Sequence, residues 1–237
     1  MKNMEYGASG RHRWTTFLSA FLLPLLLLAQ PRPDQRRAQV EISTELGTIV
    51  IELYNQTPEH RDNFIKLVQE GHYDSLLFHR VVPGLVIQGG DPRSRNADPK
   101  DEKELGDCSA GPTLPPEIVP GFIHKRGALA AAREDDEKNP DRRSDHSQFY
   151  IVHGRKYQPA DLERIEKRNE RYGTPHEFSE AEKELYATVG GAPHLDGNYT
   201  VFGHVVEGMD VVDRIAMLPV DRNDRPVQDI RMFMRLR

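Results

Sequence analysis

Residues 40–81 read VEISTELGTIVIELYNQTPEHRDNFIKLVQEGHYDSLLFHRV. In the opening part, Val40, Ile42 and Thr44 answer Ile49, Ile51 and Leu53 across Leu46-Gly47. This period of two, rich in β-branched residues, predicts a β-hairpin. Thr57 then stands at an N-cap position, Pro58 fits a first helical turn, and Phe64, Leu67 and Val68 share one face. Gly71 can end the segment, so a short amphipathic helix is expected to lie on the sheet. LLFHRVV and LVIQGG follow as two strands around Pro83-Gly84.

Working outward, residues 92–121 are rich in Pro, Gly, Asp and Lys and read as surface loop. GALAAA and SQFYIVHG read as further strands, joined by the charged loop REDDEKNPDRRSD. Its Asp135-Asp136 pair reads as part of a solvated charge run rather than a cation site. A second helical region is expected over 159–188, where Ser179 and Glu182 form a capping box and Leu185 and Tyr186 can hold the helix to the body. Too few apolar residues are present there for a separate domain. GNYTVFGHVV returns to strand pattern, GMDVVDRIAML predicts a last helix, and PVQDIRMFMRLR a closing strand. Many short strands with hairpin connections favour an antiparallel barrel or sandwich over a doubly wound α/β sheet.

The N-terminus has a different character. Lys2, Arg11 and Arg13 precede an apolar run over 17–29, which is shorter than the roughly 20 residues needed to span a bilayer. A basic start, a short apolar core and Ala29 at its end predict a secretory signal peptide over 1–29, with a signal-anchor as the alternative. Residues 30–38 read as a flexible linker. The expected location is therefore periplasmic or otherwise exported. The single cysteine, Cys108, leaves no internal disulfide framework. With a formal charge of −5 and no basic stripe in the globular part, nucleic acid is not the expected partner. No membrane contact beyond the export signal is expected, and the chain reads as a monomer.

The chemistry must come from an unusual set. There is no G-x-S-x-G elbow, no H-E-x-x-H, no C-x-x-C and no Gly-rich phosphate loop, and the ten histidines are scattered without metal-ligand spacing. No metal and no cofactor are therefore expected. What remains is a strand carrying Arg80 and Gln88 among aliphatic residues. Taken alone, Arg80 reads first as a surface or structural ion-pair arginine, and Gln88 could simply satisfy the Gly-Gly turn.

The stretch FHRVVPGLVIQGGD, residues 78–91, resembles the signature of the cyclophilin family of peptidyl-prolyl cis-trans isomerases. The opening hairpin, helix and strand, then RGALAAA, SQFYIV and LDGNYTVFGHVVEGMDVVDRI, resemble other family blocks in the same order. The resemblance implies an all-β core, a closed eight-stranded antiparallel barrel capped by two helices, here with an additional helical insertion over 155–192. Residues 39–237 would form this domain. It implies that Arg80 is catalytic and that Gln88 holds the substrate carbonyl or Arg80 itself. It further implies a proline pocket of Leu85, Val86, Tyr150 and Leu195, with Gln148, Tyr199 and the segment beginning at Ala132 against the substrate. Two family positions usually Phe and Met are Leu85 and Val86 here, an Asn is Arg133, a His is Tyr199, and a Trp important for cyclosporin binding is His194. Proline-containing polypeptides are the implied partners, and assistance to the folding of exported proteins the implied role. A non-catalytic peptide-binding chaperone module on the same fold is the alternative.

Overall fold

The computed structural model describes residues 36–98, 105–107, 109–171 and 176–237. The expected signal peptide, most of the linker and Cys108 lie outside the described residues.

The predicted hairpin forms from β1 (Gln39–Thr44) and β2 (Gly47–Leu53), with Val40 opposite Ile51 and Ile42 opposite Ile49. The inward side chains of both strands are buried, while Glu41, Ser43 and Thr48 alternate outward. Helix α1 (Pro58–Gln69) follows and buries Phe64, Leu67 and Val68. Its cap differs from expectation. The Thr57 hydroxyl donates to the Tyr54 carbonyl at 3.3 Å instead. The exposed N–H groups of the first turn are taken by the distant Glu117 carboxylate, which accepts from Glu59 N at 3.1 Å and His60 N at 2.9 Å. A carboxylate there satisfies two orphan donors and complements the helix dipole.

β3 (Leu76–Leu77), β4 (Arg80–Val82) and β5 (Val86–Gly89) carry the signature stretch. β6 (Ala128–Ala131), β7 (Phe149–Val152), β8 (Val201–Glu207) and β9 (Arg231–Leu236) complete a single curled sheet in the order β3-β9-β1-β2-β8-β6-β7-β5-β4. Every pairing is antiparallel.

This corrects the expected closed eight-stranded barrel. The ladder has nine strands, and its two ends, β3 and β4, are consecutive in the chain but do not pair with each other. The reason lies in what faces them. Past Leu77 the chain finds only single bonds, Phe78 N to the Ile230 carbonyl at 3.0 Å and Val81 N to the Asp224 carbonyl at 2.7 Å. The facing segment turns at Asp224, whose φ is +59°, and contains Pro226, so it offers no ladder. One strand of sequence therefore splits into two short ones.

Two helices were expected over the sheet and a helical insertion over 155–192, and four α-helices occur among the described residues. α1 and α4 (Met209–Ala216) feed the interior cluster inside the curl, with Val211, Val212, Ile215 and Ala216 buried from α4. α2 (Pro159–Arg171) and α3 (Glu180–Thr188) fall within 155–192. α3 starts on the expected capping box, with Glu182 N donating to the Ser179 hydroxyl and Ser179 N to the Glu182 carboxylate. The pair rests on its own apolar group of Ile123, Tyr157, Leu162, Phe178 and Tyr186. Among the described residues, no helix is long and apolar enough to cross a membrane.

Strands β6 and β7 are buried on both faces, which explains their unbroken apolar sequences ALAA and FYIV. Phe149, Ile151 and Leu129 point into the curl, whereas Tyr150, Val152, Ala128 and Ala130 pack outside it with Val86 and Val201. That second, outer cluster is the base of the candidate site.

Candidate active site

The turn between β4 and β5 places Pro83 and Gly84 at its two central positions, with Leu85 N bonded to the Val82 carbonyl at 2.9 Å and Gly84 at φ +76°. Pro at the first and a positive-φ residue at the second central position are what a type II turn demands. This turn sets the register. Arg80 sits opposite Gln88, Gln88 opposite Tyr150, and Tyr150 opposite Ala130. Residues directly opposite in a ladder project to the same face, so Arg80, Gln88 and Tyr150 form a row on the outside of the curl.

The row opens into a cavity of about 520 Å³. Its lining includes all nine residues implied by the resemblance: Arg80, Leu85, Val86, Gln88, Ala132, Gln148, Tyr150, Leu195 and Tyr199. Leu85, Val86, Tyr150 and Leu195 supply an apolar floor continuous with the outer cluster. Arg80 stands at the rim with its side chain 43% exposed, and its Nε lies 3.5 Å from the Asp224 carboxylate. Gln88 donates to the Gln148 side-chain oxygen at 3.3 Å. Gln148 is held in turn by Asp145, which accepts from its backbone N at 2.8 Å and its amide at 3.2 Å, and by the Gly106 carbonyl at 3.0 Å.

Gly106 is a site residue that escaped sequence reading because it reaches the cavity from a distant loop. Gly106 belongs to the stretch read as plain surface loop. It is drawn in by the fully buried Asp91, whose carboxylate accepts from Gly106 N at 2.6 Å. Arg133, at the position of a family Asn, is nearly buried: its guanidinium lies 4.5 Å over the Tyr199 ring, donates to the Asn198 carbonyl at 2.8 Å and pairs with Asp136 at 2.7 Å. Asp136 thus neutralises the Arg133 guanidinium. Among the described residues, no group of three His, Cys, Asp or Glu side chains is arranged to hold a metal ion.

Beneath the floor lies a buried polar chain. The Tyr150 hydroxyl meets His124 Nε2 at 2.9 Å, His124 Nδ1 meets the Asp196 carboxylate at 2.8 Å, and the Tyr186 hydroxyl of α3 donates to the same carboxylate at 2.5 Å. His124 N also donates to Asp196 at 2.7 Å. A carboxylate only accepts, so His124 Nδ1 carries a proton and donates to Asp196. The hydroxyl of Tyr150 is satisfied below the floor, and its ring is left to face the cavity. Burial pushes the Tyr150 phenol well above its ordinary pKa, so it stays neutral. Tyr199 crosses the Tyr150 ring edge-on, with centroids 5.9 Å apart. His194, at the family Trp position, does not line this cavity; it borders two neighbouring clefts.

An apolar floor, one guanidinium at its rim and oriented amides suit chemistry without a nucleophile. Comparison with known proteins agrees. The family described as cyclophilin type peptidyl-prolyl cis-trans isomerase/CLD matches residues 39–234. The chain is 31% identical over 198 residues to peptidyl-prolyl cis-trans isomerase ppi1 of Schizosaccharomyces pombe, covering 83% of this chain and 96% of that protein. It is 30% identical over 195 residues to peptidyl-prolyl cis-trans isomerase-like 1 of Neurospora crassa, covering 81% and 90%. The fold is similar to that of a cyclophilin type isomerase of Cryptosporidium parvum, solved in the presence of the dipeptide Ala-Pro, with a TM-score of 0.57, 23% identity and coverage of 84% and 98%. The chain belongs to the cyclophilin-type peptidyl-prolyl cis-trans isomerases and is an enzyme of that family.

Proposed function

We propose that the cavity binds X-Pro segments of polypeptides and that Arg80 accelerates rotation about the prolyl bond. Rotation must overcome roughly 18–20 kcal/mol of lost amide resonance. No bond to carbon breaks, so what lowers the barrier is tighter binding of the twisted amide than of the planar one. In the twisted state the prolyl nitrogen regains a lone pair, which a guanidinium N–H can approach. The prolyl ring rests on Leu85, Val86, Tyr150 and Leu195. Gln88 and Gln148 hold the substrate carbonyl, and the segment from Ala132 takes the backbone before the proline. The observation that carries this reading is the register placing Arg80 beside Gln88 at the rim of an apolar floor.

Two further parts of the proposal rest on sequence. The pattern of residues 1–29 supports an exported, periplasmic protein, and slow proline steps in folding make exported polypeptides its clients. The Cryptosporidium isomerase was solved in the presence of Ala-Pro, which supports a proline-directed site here.

The test is acceleration of cis-trans exchange in a short Ala-Pro peptide by the purified protein, with Arg80→Ala as control. Loss of one preorganised donor is expected to cost about 10²–10³ in rate. Peptide binding without acceleration, or an undiminished Arg80→Ala variant, would instead favour a non-catalytic chaperone module.

A further inference from the structure

A second cleft, of about 330 Å³, adjoins the isomerase cavity and shares Leu85 with it. Helix α2 forms one wall through Ile165 and Arg168; Arg155, Tyr157 and His194 line the rest. The base is apolar, and the rim carries two guanidinium groups. Arg155 is held by stacking over the Tyr157 ring, 4.4 Å from its centroid. Neither Arg155 nor Arg168 forms an ion pair with any described residue, and no carboxylate lines the cleft. Arg168 also borders the next cleft, where Asp135 and Asp136 lie, but Asp136 is committed to Arg133. Burial and the nearby Arg168 push His194 down to about 4, so it adds no positive charge at neutral pH. The positive potential therefore comes from the two arginines.

We propose that this cleft is a subsite of the isomerase that selects polypeptides carrying a carboxylate shortly after the proline. The proposal rests on the isomerase reading of the main cavity. With the prolyl ring on the floor and the preceding residue against Ala132, the chain leaves past Leu85 and enters the cleft. An extended residue spans roughly 3.3–3.6 Å, so the first three positions after the proline cover the distance across a cleft of this size. The subsite is built by α2 and therefore by the helical element between β7 and β8.

Peptides of the form Ala-Ala-Pro with Glu, Gln or Lys at the first, second or third following position test this. Exposed charge pairs are individually weak, so the best Glu peptide should exceed its Gln partner by about 3- to 10-fold in kcat/KM. The Lys peptide should fall below both. The Glu/Gln ratio should approach one in the Arg155→Gln/Arg168→Gln double variant, and for the wild-type protein at about 1 M salt, where exposed charges are screened. Acceleration of the Gln peptide by the wild-type protein tests the isomerase reading itself. Equal rates for Glu and Gln at every position, with that acceleration intact, overturn the subsite alone. So does a preference that persists in the double variant or in high salt.

Discussion

His79 stands next to Arg80 in the chain yet is 2% exposed. Burial pushes its pKa down to about 4; the Asp91 charge opposes this, while Arg80 and Arg93 add to it. Between pH 6.5 and about 4 the unfolded chain binds a proton at this residue and the folded one does not, so stability falls as pH falls through that window. The loss should approach about 2–4 kcal/mol at its acid end. The thermal midpoint measured from pH 7 to pH 4.5 should therefore drop less steeply in His79→Leu than in the wild type; parallel pH profiles would refute the assignment. Legibility also differs from residue to residue here. Arg80 and Gln88 were named through the resemblance of residues 78–91 to the family signature, and one short hairpin holds both. Asp224, which approaches Arg80, and His124, which holds Tyr150, belong to other segments of the chain, and no spacing rule connects them to the site.

Elements were legible wherever local rules governed them. The β1–β2 register follows the period-two pattern, and α3 begins on its capping box. The misses arise where tertiary partners override local chemistry: Glu117 replaces Thr57 as the cap of α1, and the 221–230 segment splits one expected strand into β3 and β4. The insert was legible as helical, but its tie to the floor of the cavity was not, because Tyr186, Asp196, His124 and Tyr150 meet only in three dimensions. That tie has a measurable consequence. Tyr186→Phe removes one donor from a buried carboxylate and should cost about 1–3 kcal/mol of stability. It should also weaken kcat/KM on an Ala-Pro peptide by loosening His124 and the hydroxyl it holds. Tyr150→Phe removes that hydroxyl, so adding Tyr186→Phe to it should lower kcat/KM little further, although both variants still lose stability. Additive losses in kcat/KM would mean that α3 supports the fold without positioning the floor.

At the scale of the whole molecule, two apolar clusters use opposite faces of one curled sheet, and the helical element forms a third. The interior cluster receives strands from both ends of the chain, α1 and α4, and nothing from α2 or α3. The ends of the insert already lie together: Tyr157 N donates to the Tyr186 carbonyl at 3.1 Å, and Arg155 and Gly191 exchange two backbone bonds at 3.1 and 2.9 Å. Residues 158–185 should therefore be replaceable by a Gly-Asn turn without disturbing the sheet, while Tyr186 and its bond to Asp196 are retained. The shortened protein loses Leu162 and Phe178, each worth about 1.5–3 kcal/mol when buried, but also sheds the entropy cost of ordering the segment. A net loss of about 2–4 kcal/mol would lower the thermal midpoint by roughly 5–15 °C. Acceleration of the neutral Ala-Pro peptide should persist, since Arg80, Gln88 and the floor remain, whereas discrimination between Glu and Gln after the proline should weaken, because Arg168 is lost while Arg155 remains. An unfolded product, seen by circular dichroism, would show that the insert is part of the folding unit. Folded protein without isomerisation would show that α2 contributes to the reaction itself and not only to the choice of substrate.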